Sequence, residues 1–412
     1  MSGDSSPAQP ASRDAALIGL VGLAHLVSHF SQLLLAPLFP WLKDAFHVGY
    51  AELGALMSIF FIVSCVVQAL AGFAVDRWGP RPLLFVGLTL ITLGAFGLAA
   101  SDHYAGLAVC SALIGVGNGV FHPVDYTLLN RHVAPRRLGH AFSVHGITGS
   151  LGWALAPALL VPMTMAYGWR AALASAGTFA LIVLGVLWWN RARLESPALR
   201  HAASSAHGPT PAAAGLDFLR IPAVWMCFGF FFFYAMALSG VQAFAPQAAR
   251  ELHQMSVNAT AACLSTYMVC TAFGMLMGGF LAADPARCEA IIGVGFGLAA
   301  AIALTIGWVD MAAWAVPVLF GAMGLAAGVA GPSRDLIVKR ASAPNATGRV
   351  YGVVYSGLDI GQAFAPLLFG TLLDRQHPAW VWSGIAVVQA VLIVGAFNVR
   401  KVRRTPLRAV AA

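Results

Sequence analysis

Twelve runs of about 20 or more mainly apolar residues punctuate this 412-residue chain, at 15–39, 51–74, 82–101, 105–129, 140–163, 170–190, 221–246, 258–282, 290–309, 312–335, 350–372 and 380–399. A helix of that length crosses the hydrocarbon core of a bilayer, about 30 Å thick. A soluble core cannot hide so many such runs: only 10% of the residues are charged, against about 25% in ordinary soluble domains. Lipid is therefore the expected solvent, and the fold class is all-α integral membrane with twelve transmembrane helices. The polar residues ahead of the first run lack a basic n-region and a small-residue cleavage site, so 15–39 is expected to be an uncleaved span.

Most connections between runs are too short to fold alone. The exception is 191–220, whose Ser, Pro, Ala and Gly content reads as a flexible cytoplasmic linker. It divides the chain into an N-terminal six-helix bundle (1–190) and a C-terminal one (221–412). The two halves repeat each other at a constant offset of 209 residues: Ala36-Pro37 recurs as Ala245-Pro246, Pro123 as Pro332, Gly152 as Gly361 and Ala156-Pro157 as Ala365-Pro366. Gly115 and Gly119 likewise match Gly324 and Gly328. Parallel repeats of six spans build a transporter with its substrate between the halves.

The formal charge of +8 raises nucleic acid as a partner, but the basic residues sit in short loops. With the N-terminus inside, 20 of the 24 Lys and Arg residues are cytoplasmic, and only Lys43, Arg170, Arg250 and Arg375 fall outside. Both termini are then expected in the cytoplasm. The six cysteines are scattered without metal-ligand spacing, so neither a disulfide framework nor a metal site is expected. No phosphate-binding glycine loop or Walker lysine is present, and no cofactor is expected.

The loop after the second run, Gly72-Phe73-Ala74-Val75-Asp76-Arg77-Trp78-Gly79-Pro80-Arg81, resembles the signature loop of the major facilitator superfamily, with Pro80 in place of a basic residue. The His25-to-Phe30, Phe121-to-Tyr126 and Gly139-to-Pro157 stretches look like a bacterial branch near the fosmidomycin-resistance-type drug and siderophore exporters. Gly152-Trp153-Ala154-Leu155-Ala156-Pro157 is similar to a motif of proton-coupled antiporters. It recurs from Gly361 to Pro366, and Gly115 stands where those antiporters carry an arginine. The resemblance implies a monomeric transporter in the bacterial inner membrane, with two pseudo-symmetric six-helix bundles, driven by protons and moving a small organic solute outward. Uptake of a small organic anion with protons is the alternative.

Ionisable and polar groups inside the runs are the candidate working residues. His25, His29 and Gln32 share a face of the first run at spacings i, i+4, i+7, and Asn118, His122 and Asp125 repeat that pattern on the fourth. In the resembled fold these two helices line the cavity. His29 is either a neutral imidazole bonded to a neighbouring helix or a substrate or proton site; His25 reads as structural. His122 precedes Pro123, which removes a donor and kinks the helix.

Asp359 lies about 15 Å from the cytoplasmic end of its run, on one face with Tyr355 and Gln362. A carboxylate at that depth is either a proton carrier or a hydrogen-bond link to the other half. Near the cytoplasmic boundary, Gly72, Asp76, Arg77, Arg81, Asp125 and Arg334 form the expected gate. There Gly72 permits close helix approach, Asp125 pairs with Arg77 or Arg81, and Arg334 pairs with Asp335. An intramembrane enzyme would need a catalytic pair, and none is visible. A channel would need a polar stripe in both halves, but Leu238 and Gly331 stand opposite His29 and His122.

Overall fold

The computed structural model describes residues 11–134, 137–195, 222–281, 287–341 and 348–409, the side chains of 11, 223, 335–341, 348–355 and 398–409 excepted. Among them there is no strand. The first half holds α1 (Ala11–Gln32), α2 (Phe39–Phe46), α3 (Tyr50–Trp78), α4 (Pro80–Ala100), α5 (Tyr104–Gly119), α6 (Phe121–His132), α7 (Leu138–Tyr167) and α8 (Trp169–Trp189). The second holds α9 (Pro222–Ser239), α10 (Ala245–His253), α11 (Val257–Leu281), α12 (Cys288–Trp308), α13 (Ala315–Ala341), α14 (Gly348–Asp374) and α15 (Pro378–Ala409). Eleven spans among the described residues are long and apolar enough to cross a bilayer. The twelfth expected run, 350–372, lies within the 27-residue α14, which packs between α9 and α3. Most of the expected linker falls outside the described residues.

The repeat shows in where helices break. The first span of each half is interrupted beside its Ala-Pro pair: α1 stops at Gln32 and a short 3-10 turn covers Ala36–Leu38, while α9 stops at Ser239 and a π-turn covers Gly240–Phe244. Proline has no N–H to donate and crowds the carbonyl one turn back, so the regular ladder yields there. The break between α5 and α6 has the same origin, since Pro123 lies four residues after Gly119. In the second half Pro332 is accommodated inside an unbroken α13.

Two one-residue hairpins rest on glycine. Gly79 (φ +82) joins α3 to α4, and Gly168 (φ +85) joins α7 to α8. A side chain is strained in that conformation. Gly72, expected to permit close helix approach, has open space where a Cβ would be. Close approach occurs elsewhere: Gly115 and Gly119 let α5 lie on the backbone carbonyls of Phe60 and Ser64 in α3, and Gly324 and Gly328 let α13 lie on those of Tyr267 and Thr271 in α11. Near the span ends, Trp382 is fully buried edge-on against Phe320, whereas Trp188, Trp189 and Trp380 are exposed.

The halves meet along two seams, α7 against α11, where Ser265 Oγ donates to Ala154 O, and α3 against α14. Both oxygens of Asp374 accept hydrogen bonds from the first turn of α3, from Tyr50 N (2.7 Å) and Ala51 N (2.8 Å). A carboxylate placed there also meets the positive end of the helix dipole. Below it Gly54 abuts Pro366, Ser58 Oγ donates to Ala363 O at 2.6 Å, and Gln68 Nε2 donates to an Asp359 oxygen at 3.1 Å. Beyond Gln68 the residues Gly72, Phe73, Asp76 and Arg77 are exposed. Among the described residues, the hydrogen bonds between α3 and α14 run from Asp374 to Asp359, and none lies beyond Gln68 toward Arg77.

Asp374→Ala is expected to weaken the seal by about 1 kcal/mol, the usual value of a lost helix cap, which shifts the population toward separation at that end about fivefold. Spin labels at positions 44 and 375 should then report a longer-distance population. An unchanged distance distribution would show that the carboxylate does not hold the seam.

Candidate functional site

The two polar stripes on the first and fourth spans meet in direct contact within the N-terminal bundle, not across an open cavity. Asn118 is the hub of the upper group. Its Oδ1 accepts from Ser28 Oγ at 2.7 Å and lies at the limit of hydrogen bonding, 3.5 Å, from Gln32 Nε2. Its Nδ2 donates to Ser64 Oγ at 2.9 Å. Trp153 Nε1 in turn donates to Gln32 Oε1 at 3.0 Å. Four helices, α1, α3, α5 and α7, are tied by these bonds.

One turn away the histidines converge. His29 stacks at a tilt on Trp153, with ring centres 4.3 Å apart, and lies 4.3 Å from His25. His25 Nδ1 and His145 Nε2 both approach Asp125 Oδ2 at 3.1 Å, and the two imidazoles stack at 3.5 Å. His122 closes the group, 5.5 Å from His25 and 6.3 Å from His145 between ring centres. Gly149 and Gly152 of α7 let α1 come this close: a Cβ at 149 would press on the His29 and His25 rings, and one at 152 on the backbone around Leu26 and Phe30.

Two expectations are corrected here. Asp125 does not pair with Arg77 or Arg81. Its side chain is fully buried among the imidazoles, because the break before Pro123 starts a new helix, α6, whose inner face carries Val124, Asp125 and Leu128. The histidines, expected not to form a ligand set, do come together: one ring nitrogen each from His25, His122 and His145 lie within 4.8 Å of one another. His145 was not singled out from the sequence. Its signal is the spacing His145, Gly149, Gly152, again i, i+4, i+7, which places a histidine on the small-residue face that receives α1.

Asp359, 9% exposed, makes the last α3–α14 hydrogen bond among the described residues, to Gln68 of the other half. Gln362 is buried beside the seam, and its carbonyl accepts from Ser239 Oγ at 3.4 Å. Tyr355 lies on α14, but its side chain is outside the described residues, as is the expected partner of Arg334, Asp335. The Arg334 guanidinium lies over the rings of Tyr234 (4.1 Å) and Phe231 (5.9 Å) on α9. Of the remaining gate residues, Arg81 meets Glu195 at 3.5 Å on the surface, Arg77 rests on the Trp78 ring, and Asp76 is exposed without an ion pair to any described residue. An exposed pair such as Arg81–Glu195 contributes little to stability.

The sequence profile of the Major Facilitator Superfamily matches residues 21–330. The chain is 29% identical over 181 residues to the uncharacterized MFS-type transporter YfnC of Bacillus subtilis (strain 168), covering 43% of this chain and 44% of that protein. It is 26% identical over 152 residues to the fosmidomycin resistance protein of Escherichia coli (strain K12), covering 37% of each. To the hexuronate transporter of Bacillus subtilis (strain 168) it is 25% identical over 182 residues, covering 42% of this chain and 41% of that protein. Each alignment therefore spans less than half the length of the relative.

Asn118→Leu should strand the Ser28 and Ser64 hydroxyls between helices. The expected loss is about 1 kcal/mol, within the ~0.6–1.7 kcal/mol range of hydrogen bonds between membrane helices. It is read as a lowered thermal midpoint of the detergent-purified protein. Adding Ser64→Ala should cost little more, because that hydroxyl has already lost its donor. A midpoint unchanged by Asn118→Leu would remove Asn118 as the hub.

Proposed function

The chain belongs to the Major Facilitator Superfamily, and on that premise we propose that it is a proton-coupled antiporter that exports a small organic solute by alternating access. The observation that supports this reading most is the position of Asp359. Among the described residues it is the one buried carboxylate of the second half, and it is bridged to Gln68 of the first. A coupling proton needs a group whose surroundings change when the halves move, and this is such a place. Solute contacts are assigned to Gln32, Asn118, Trp153 and His29 of the first half and to Gln362 of α14, with Tyr355 added from its place in the sequence alone.

In this reading both termini face the cytoplasm, the sealed Asp374 end is periplasmic, and the conformation is open to the cytoplasm. Gly72, Asp76, Arg77 and Arg81, now exposed, would form the cytoplasmic gate when that end closes. A second reading is proton-coupled uptake of a small organic anion. It is favoured by the Arg334 guanidinium seated on the α9 aromatics and by the hexuronate transporter among the relatives. The sign of coupling separates the two. In proteoliposomes with an imposed pH gradient, antiport drives solute against the proton flow and symport drives it along.

Asp359→Asn keeps the hydrogen-bonding shape of the side chain but removes its exchangeable proton. It should retain folding, solute binding and downhill exchange, while pH-driven accumulation falls to the level of downhill equilibration. Accumulation at the wild-type level, at matched protein density, would rule Asp359 out as the carrier.

A further inference from the structure

Asp125 is fully buried, and among the described residues neither lysine nor arginine pairs with it. The only groups that reach its Oδ2 are two imidazoles, and Oδ1 meets no hydrogen-bond partner at all. His122 Nδ1 is also buried without a partner. A buried carboxyl group with no Lys or Arg beside it, and a buried ring nitrogen that lacks a donor or acceptor, are costly in a membrane interior. Both belong to the cluster that His25, His122 and His145 form around Asp125.

From this geometry we infer that His25, His122 and His145 form a binding site for a divalent first-row transition metal such as Zn2+, Co2+ or Ni2+, with Asp125 supplying the balancing negative charge. Imidazole donors favour these borderline ions over Mg2+ and Ca2+, which take oxygen ligands. The ligand atoms already lie within 4.8 Å of one another. Around a tetrahedral Zn2+ with bonds of about 2.0–2.1 Å they would stand about 3.4 Å apart, a contraction that side-chain rotation can supply. Asp125 contacts Nδ1 of His25 and Nε2 of His145, so an ion taken through the other nitrogen of each ring would leave both contacts in place. That is the carboxylate–histidine–metal arrangement that fixes ring orientation and raises ligand basicity.

Three helices contribute, α1, α6 and α7, and the site has a way in. The Tyr126 ring lies on His122 (6.2 Å) and near His145 (5.4 Å), and it is 42% exposed; Phe142 beside it is 36% exposed. One aromatic layer thus separates the cluster from the molecular surface. The site goes beyond the transport reading and does not depend on it.

The test uses the full chain, purified in detergent on an affinity tag without histidines, and reads binding alone. Zn2+ is titrated against a chromogenic chelator, and Co2+ is followed by its visible ligand-field bands. One equivalent of each should bind, with the intense Co2+ bands of four- or five-coordination, and excess Mg2+ should not displace it. His122→Gln should weaken Zn2+ binding at least about tenfold. Because His122 makes no hydrogen bond in the metal-free protein, this variant should keep the wild-type metal-free melting temperature. His47→Gln with His103→Gln, at exposed positions, should bind as wild type does. Failure of the wild type to bind a stoichiometric equivalent at neutral pH would overturn the site. So would binding that survives His122→Gln combined with His145→Gln. Since transport is not measured, neither result bears on Asp359.

Discussion

A bilayer interior offers no water to complete a hydrogen bond, and that single absence dictates most of what this chain does. Backbone groups are satisfied by running every crossing segment as a helix. Polar side chains have two outlets. Some fold back on their own helix, as Thr92 and Thr164 do by donating to the carbonyls of Leu88 and Leu160. The others must find one another across helices, and once one does so it fixes the azimuth of its neighbours. Asn118 sets the relative rotation of α1, α3 and α5, and Gln32 extends the constraint to α7 through Trp153. The polar clusters of the N-terminal half are therefore both its candidate chemistry and the register of its packing.

The architecture was legible because it rests on patterns that survive in one dimension. Run length predicts the spans, and a constant offset between proline and glycine landmarks predicts two related halves; the matching breaks at Ala36-Pro37 and Ala245-Pro246 are its structural expression. What one dimension does not carry is the form of each break. The same dipeptide gives a 3-10 turn in one half and a π-turn in the other, because the ladder relaxes against different neighbours. Nor does it carry azimuth near a span end, where Trp380 faces out and Trp382 faces in. Nor does it say in which conformation a glycine is approached: Gly72 has open space beside it here.

The candidate site was legible as two stripes and illegible as a cluster. Spacing on α1 and on α5–α6 correctly identifies which residues share a face, yet depth along a helix does not say what that face meets. Asp125 lies near the end of its run and reads as a gate residue by depth alone. Pro123 ends the preceding helix two residues earlier, and the new helix turns the carboxylate inward. His145 is less legible because α7 carries no polar stripe, and its other histidine, His140, lies five residues away on a different face. The glycines at 149 and 152 were the usable clue, since a small-residue face recruits a neighbouring helix and here it recruits the one bearing His25 and His29.

The halves share a backbone plan but not a chemistry, and that asymmetry bears on how motion can be coupled to charge. The seam between α3 and α14 is continuous from Asp374 through Gly54 and Ser58, and its last bond is Gln68 to Asp359. Any rocking that opens the sealed end must pull Ser58 from Ala363 and must change the distance between Gln68 and Asp359. A carboxylate in the middle of a rigid bundle would keep the same neighbours in both states, and its affinity for a proton would carry no information about conformation. Asp359, bonded across the seam to Gln68, would have one set of neighbours with the halves sealed above it and another with them apart. Differential interaction of that kind is the thermodynamic requirement for a proton to bias a conformational equilibrium.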